Sequence, residues 1–176
     1  MFEGWENYYL MVGGSAGALI GLMFVVMTLT AGRETSEIER GKKYYTSPIV
    51  WHLAVVLVLS GAAAAPAMPG GLFGLICMGL GVLGLLMGIR SAVGIMRFFT
   101  SPDFAFDTIR YGVAPALVYV GLIGSGWAVF VGCRWAASAV GADLMALLLV
   151  SIHAEWDLVT YLAPMAGQSS GSHKDS

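Results

Sequence analysis

Charged residues are scarce in this chain. Only 11% of its 176 residues are charged, with nine Lys and Arg and eleven Asp and Glu, whereas 57% are hydrophobic. An average soluble domain is about one quarter charged, and a water-exposed surface on a chain of this length needs more charged side chains than are present. The deficit excludes an ordinary water-soluble domain and indicates that the solvent of this protein is lipid.

Basic clusters, cysteine frameworks and catalytic motifs are lacking as well. The net charge is −2 and no dense run of Lys or Arg occurs, which excludes nucleic acid as a partner because phosphate neutralisation requires clustered basic side chains. Cys77 and Cys133 are the only cysteines, too few for a disulfide framework or a metal signature. Serine nucleophile elbows, phosphate-binding loops and HExxH motifs are absent. We therefore predict no enzymatic activity and no cofactor.

Long apolar segments are what the chain has instead. A helix needs about 20 apolar residues to cross the hydrocarbon core, where every backbone group must be hydrogen-bonded within the segment. Five such segments predict an all-α, polytopic transmembrane helical bundle, in one domain over residues 1–166. The predicted spans are approximately 8–31, 48–68, 70–97, 109–133 and 138–163. Residues 1–9 lack the basic start of a secretory signal, so the first span is expected to remain in the protein.

The start of the fifth span is open because of Asp143. This residue follows Gly141 and Ala142, and the favoured interpretation is that it caps the outer end of the helix. If the helix instead begins near Ser138, the acidic residues further along it move toward the cytoplasmic interface.

The Lys and Arg residues of the connections predict the orientation. Most of the Lys and Arg lie in two stretches, the first with Arg33, Arg40, Lys42 and Lys43 and the second with Arg90, Arg97 and Arg110. The other two connections together contain only Arg134. Loops 32–47 and 98–108 should therefore be cytoplasmic, with the N-terminus outside and the C-terminus inside the bacterial inner membrane. A Ser-Pro pair predicts a short interfacial helix over 102–108. The Ser- and Gly-rich tail, 167–176, is expected to be disordered.

Glycines recur at helical spacing in the first and third spans: Gly13, Gly17 and Gly21, then Gly74, Gly81 and Gly88. Without Cβ atoms two helix backbones approach closely, which matters in lipid because hydrophobicity gives helices little reason to associate there. We predict tight packing, either within the chain or against a second copy or another membrane protein. A pore lining or a sliding surface is the less favoured interpretation.

Ionisable side chains within the spans form a candidate functional cluster, since charges in a bilayer are costly. The cluster is His52, Arg90, His153, Glu155 and Asp157. His153 and Asp157 share a helical face, while Glu155 points about 200° away from His153. The fifth span is therefore expected to be central in the bundle or to lie at an oligomer contact. We expect Arg90 to pair with Asp157 or Glu155, with a role in transport as the alternative.

Two short motifs carry a family resemblance. The glycine-rich first span ends in GLMFV, residues Gly21 to Val25, and the last span carries WDLVT, residues Trp156 to Thr160. With these motifs the chain resembles a family of small bacterial inner-membrane proteins of unassigned activity. The resemblance implies no substrate, cofactor or reaction, and it draws attention to Trp156 and Asp157 rather than to Glu155.

Three functions are compatible with these features. The leading one is a non-enzymatic bundle subunit that packs with membrane helices of a second copy or of a partner. The alternative is a small channel, transporter or sensor that moves protons or cations through the acidic and histidine cluster. The third is a haem- or metal-binding membrane protein that uses His52 and His153 as axial ligands, or His153, Glu155 and Asp157 as metal ligands.

Overall fold

The computed structural model describes residues 2–30, 47–98 and 112–167. These residues form five α-helices and no β-strand, which confirms the predicted all-α fold. The helices are α1 Glu6–Thr30, α2 Ser47–Ala64, α3 Gly70–Phe98, α4 Ala114–Phe130 and α5 Ala136–Gly167. The two predicted cytoplasmic loops, the interfacial helix and the tail lie outside the described residues, apart from the residues at their boundaries.

Three of the helices are long and apolar enough to cross a membrane, over Glu6–Thr28, Gly70–Arg90 and Ala136–Asp157. α2 and α4 contribute the shorter apolar stretches Pro48–Ala64 and Ala114–Phe130, which are close to the lower limit of about 17 residues for a span. The chain is thus a transmembrane helical bundle.

The bundle has an apolar exterior and polar groups inside. Large hydrophobic side chains on all five helices are exposed, among them Phe24 on α1 and Leu117 on α4, which are 71% and 67% exposed. Among the described residues, the buried polar and charged side chains include His52, Ser60, Ser125, Ser151 and Glu155. A water-soluble protein has the opposite distribution, so the surface agrees with lipid as the solvent.

Two exposed tryptophans, one just before α5 and one within it, agree with this environment. Trp135 precedes the helix and Trp156 lies within it, and the two are 60% and 67% exposed. Their spacing along the chain corresponds to about 30 Å at 1.5 Å per helical residue, which is the thickness of a bilayer core. Tryptophan is enriched at the two interfaces of a membrane.

Helices that follow one another along the chain alternate in direction. Gly13 of α1 lies beside Ser60 of α2, and Gly74 of α3 lies beside Phe130 of α4, so both pairs are antiparallel. α1 and α5 are parallel, because the Tyr9 hydroxyl donates to the Ala137 carbonyl near the start of α5, at 2.7 Å. We call the end of the bundle at which α1 and α5 begin the N-terminal face, and the other end the opposite face.

α5 has a central position. It packs against α1, α2 and α4, while α3 packs against α4 and α2. The buried core residues come from all five helices; the largest fully buried side chains include Tyr9, Leu59, Phe73, Tyr119 and Leu147. This arrangement positions the inward face of α5 between the two antiparallel helix pairs.

Turn chemistry moves several helix ends away from the predicted limits. α2 ends at Ala64 rather than 68, because Pro66 disfavours helix in the preceding residue and Ala67 takes a φ of 57°. α4 ends at Phe130 rather than 133, because Gly132 has a φ of 80°. There the Cys133 and Gly132 amides donate to the Ala128 and Val129 carbonyls at 2.9 and 3.0 Å, a Schellman motif. At its other end the α-helix is described from Ala114, with Pro115 in its first turn and a π-helical turn at residues 112 and 113 before it, and the predicted start at 109 lies outside the described residues.

α5 is longer than predicted at both ends. It begins at Ala136 rather than 138 and continues to Gly167 rather than 163. The interpretation of Asp143 as the helix cap is therefore wrong, since this residue lies about two turns inside the helix. Its carboxylate accepts a hydrogen bond from Ser125 on α4 instead.

Candidate functional site in the buried polar core

A histidine and a tyrosine meet in the interior of the bundle. His52 lies on α2, five residues after its first residue, and is 5% exposed, while Tyr119 of α4 is completely buried. His52 Nδ1 and the Tyr119 hydroxyl are 2.7 Å apart, and the tautomer of His52 decides which of them donates. This hydrogen bond links α2 to α4 and satisfies two polar groups that lipid could not solvate.

Gly84 of α3 provides the space for this pair. A Cβ atom at Gly84 would overlap the aromatic ring of Tyr119, so the tyrosine ring lies directly on the α3 backbone. Trp51, next to His52, has a buried indole nitrogen without a hydrogen-bond partner among the described residues. Three helices therefore converge on Tyr119, and only a glycine on α3 permits this convergence.

A second polar contact joins α4 to α5 nearer the N-terminal face. The Ser125 hydroxyl donates to Asp143 Oδ2 at 2.6 Å. The other carboxylate oxygen lies against Gly121, where a Cβ would be 2.7 Å away. Asp143 is thus accommodated by a hydroxyl and a missing side chain on the same face of α4, and it stabilises the pairing of α4 with α5.

Glu155 differs from these groups because its side chain has no hydrogen-bond partner among the described residues. It is 4% exposed, and neither carboxyl oxygen makes a hydrogen bond with any described residue. The face of α5 that carries Glu155 also carries Ala137, since 18 residues correspond to about five complete turns. Ala137 accepts its hydrogen bond from α1, so Glu155 faces into the bundle on the α1 side.

The predicted cluster of ionisable residues is dispersed in the structure. His52 is paired with Tyr119, Glu155 faces inward, and His153 is exposed on the outer side of α5 together with Trp156. Arg90 is exposed on α3. No hydrogen bond joins the Glu155 oxygens to any described residue, which contradicts the predicted Arg90–Glu155 pair. Asp157 is half-buried, and its pairing with Arg90 stays a prediction.

The residues considered as haem or metal ligands do not converge either. His52 is buried between helices, with Nδ1 engaged by Tyr119, whereas His153 is exposed on a different helix. Across residues 2–30, 47–98 and 112–167, no group of three or more His, Cys, Asp or Glu side chains could hold a metal ion.

The glycines selected from the sequence have unequal surroundings. A Cβ at Gly13 would lie 2.9 Å from the Ser60 side chain, whereas at Gly17 the nearest atom is 3.9 Å away and at Gly21 nothing lies within 4 Å. On α3, Gly74 and Gly81 are in close contact with α4, where a Cβ would approach Gly126 and Ile123 to 2.6 and 2.7 Å. Gly88 has ordinary contacts at 3.8 Å.

Tyr119 and Ser125 were not identified from the sequence as site residues. Both lie in an apolar span and neither is charged near neutral pH, so neither stands out in the sequence as a charged group within the membrane. A usable signal exists on the neighbouring helix, because Gly84 belongs to a run of glycines at helical spacing and so indicates a large side chain on the facing helix.

Comparison with protein-family models, with curated proteins and with solved structures found no match for this chain. The class that the geometry defines is an all-helical membrane bundle with polar groups in its interior, of which His52, Tyr119, Ser125 and Asp143 form hydrogen bonds between helices.

Proposed function

We propose that this protein is a non-enzymatic subunit of the bacterial inner membrane that functions by packing against a second copy of itself through α1. This proposal agrees with the resemblance to small bacterial inner-membrane proteins. It rests on one observation, namely a lipid-facing surface of small residues on α1 that no helix of the described chain covers.

This surface, the outer small-residue face, consists of Gly14, Ala18 and Gly21. All three residues are exposed, and a Cβ at Gly14 or Gly21 would meet nothing within 4 Å. Spacings of four and three residues place them on one side of the helix. Large exposed side chains, such as Leu10 and Leu22, lie near its two ends, and we treat the face as a shallow groove because its own residues carry at most a methyl group.

Close packing against another helix is what such a groove favours in lipid, where van der Waals contact between backbones drives association. The chain already packs α3 against α4 in this way, through Gly74 and Gly81. The outer small-residue face carries no charge, so it imposes no requirement for a complementary partner charge. A second copy related by a two-fold axis presents the same face in return, which makes the contact self-complementary.

The distribution of basic residues supports the orientation that we propose. By their position in the sequence, eight of the nine Lys and Arg belong to the opposite face. Two of them lie in the second half of α3, and the other six lie between α1 and α2, between α3 and α4, or after α5. Only Arg134 belongs to the N-terminal face. Basic residues in short connections favour the cytoplasmic side. We therefore assign the opposite face to the cytoplasm.

A relay of protons or cations through His153, Glu155 and Asp157 has less support. The three side chains do not share one side of α5, since His153 is exposed and Glu155 is buried. A relay requires groups within hydrogen-bonding reach of each other, either directly or through one water molecule.

The mass of the protein in mild detergent and single-molecule counting in bilayers test the proposal. We expect a dimer for the wild type and a monomer for Gly14→Leu, because a leucine fills the groove. Gly79→Leu is the matched control, since Gly79 of α3 is also surrounded by open space, and this variant should remain dimeric. A monomeric wild type, or equal dissociation of both variants, would contradict the proposal.

A further inference from the structure

We propose that Glu155 is a proton-binding site inside the bundle, which takes a proton from the water at the opposite face and returns it there. Binding forms one O–H bond on the Glu155 carboxyl group, and release breaks it. This inference is independent of the association through α1, and a monomeric protein would leave it unaffected.

The burial of Glu155 is the first step of the argument. With 4% of the residue exposed and both oxygens lacking any hydrogen bond within the described chain, an ionised carboxylate would be largely shielded from bulk water and would have no hydrogen-bond donor among the described residues. An isolated charge in such surroundings is far more costly than a neutral carboxyl group. Only a proton or a cation removes this cost.

The neighbouring helices supply no countercharge at this depth. Helix geometry places Glu155 about 27 Å along α5 from Ala137, level with Met27 near the end of α1. Between Leu10 and Thr30, α1 has no ionisable side chain. The only titratable side chains of α2 and α4 are His52 and Tyr119, respectively, and they are hydrogen-bonded to each other.

The other groups near Glu155 on its own helix face elsewhere. His153 is exposed on the outer side of α5 and Asp157 is half-buried. Ser151, one turn earlier on the inward face, donates its hydroxyl hydrogen to the Leu147 carbonyl at 2.8 Å, so this hydrogen is not available to a carboxylate. A metal ion would need several ligands, and the described residues bring no three acidic, histidine or cysteine side chains together. A proton is the ligand that this site accommodates.

Access is from the opposite face. Tyr9 of α1 contacts Ala137 of α5, and Gly13 of α1 contacts Ser60 of α2, so these contacts relate the depths of the three helices. At 1.5 Å per residue along each helix, Glu155 lies about 9 Å nearer the opposite face than His52. The core between His52 and the N-terminal face contains large buried side chains such as Leu59 and Phe73. The proton therefore exchanges with one side of the membrane and is not conducted across it.

Infrared spectroscopy of the purified protein tests the protonation directly. At neutral pH we expect the wild type to show the carbonyl stretch of a protonated carboxyl group, and we expect Glu155→Gln to lack this band. Glu3→Gln is the matched control, because Glu3 is exposed, and it should retain the band. Identical spectra for the wild type and Glu155→Gln would overturn the proposal.

Thermal unfolding in detergent provides a second readout. Glutamine resembles the neutral carboxyl group in shape and charge, so Glu155→Gln should melt within a few degrees of the wild type at neutral pH. On raising the pH, the melting temperature of the wild type should fall further than that of Glu155→Gln, because only the wild type acquires a buried charge. A large loss of stability in Glu155→Gln at neutral pH would mean that an ionised Glu155 is required, which would refute the proposal. Stabilisation of the wild type by sodium chloride but not by choline chloride, absent in Glu155→Gln, would identify a cation site and refute it equally.

Discussion

The contact between Gly84 and Tyr119 shows how a single missing side chain positions a polar group. The tyrosine ring can lie against α3 only because position 84 has no Cβ, and the ring then directs its hydroxyl to His52 on α2. A residue without a side chain thus determines which two other helices are joined by a hydrogen bond.

The first prediction concerns this glycine. Gly84→Ala should lower the free energy of unfolding by about 1–3 kcal/mol, the usual cost of overpacking, because the buried Tyr119 ring has no open space into which it can move. Gly79→Ala is the control on the same helix: its Cβ would meet nothing within 4 Å, and the change from glycine favours a helix by about 0.5–1 kcal/mol. Denaturant unfolding in detergent measures both, and equal stability of the two variants would contradict the packing described.

Part of this site could be predicted from the types of residue that the sequence places within the spans. The position of His52 in a span was sufficient to select it, because an ionisable group in a membrane attracts attention on energetic grounds. Its partner Tyr119 lies 67 residues away along the chain, and nothing in the local pattern indicates that the two meet. The inward direction of Glu155 and the outward direction of His153 follow in part from helical spacing, but which face is buried depends on the neighbouring helices.

At the scale of elements, α4 and α5 form an antiparallel pair that is stabilised by the turn between them and by a hydrogen bond further along both helices. The Schellman motif at Gly132 ends α4 sharply, and about two turns into α5 the Asp143 carboxylate accepts the Ser125 hydrogen bond. The connection between these helices comprises only residues 131–135. Short connections and a polar contact therefore determine the pairing together.

The second prediction is energetic coupling between Ser125 and Asp143. Each single alanine variant should be destabilised, and the double variant should lose less than the sum, with a coupling energy of about 0.6–1.7 kcal/mol, as in other interhelical hydrogen bonds in membranes. A double-mutant cycle on the unfolding free energy measures it. Ser138→Ala combined with Asp143→Ala is the control and should be additive, since the Ser138 hydroxyl donates to Trp135 within its own segment.

The existence of the helices was predictable, while their ends were less so. Apolar length alone identifies five helical segments, because about 20 apolar residues span lipid as a helix, whereas the strand of a membrane barrel needs only about ten. The limits depend on local backbone conformations, such as the positive φ at Ala67 and Gly132. Asp143 was misinterpreted because an aspartate shortly after a glycine resembles a helix start, whereas the hydroxyl that stabilises it belongs to another helix.

At the scale of the whole molecule, the parallel direction of α1 and α5 has a topological consequence. Tyr8 and Tyr9 donate hydrogen bonds to Gly141 and Ala137 at 2.9 and 2.7 Å, so both helices begin at the same end of the bundle. The chain therefore enters the first helix and leaves the fifth on opposite sides.

The third prediction follows for reporter fusions. A reporter active only in the cytoplasm should work at the C-terminus and fail at the N-terminus, and a periplasmic reporter should do the reverse. A fusion after Met68, between α2 and α3, is an internal control and should behave like the N-terminus. If reporters at the two termini showed the same side of the membrane, the number of spans would be even, which would contradict the arrangement described.

The hydrogen bond between Ser125 and Asp143 also bears on biogenesis. Asp143 lies about two turns inside α5, and an aspartate in a membrane helix costs up to about 2.5–3.5 kcal/mol during insertion by the translocon, the value at the helix centre. The ribosome synthesises Ser125 18 residues before Asp143, and residues 131–135 keep the two helices adjacent. The hydroxyl is therefore already in the membrane when the carboxylate arrives. We expect α4 and α5 to leave the translocon laterally as one helical hairpin, with α4 acting as the insertion partner of the less hydrophobic α5.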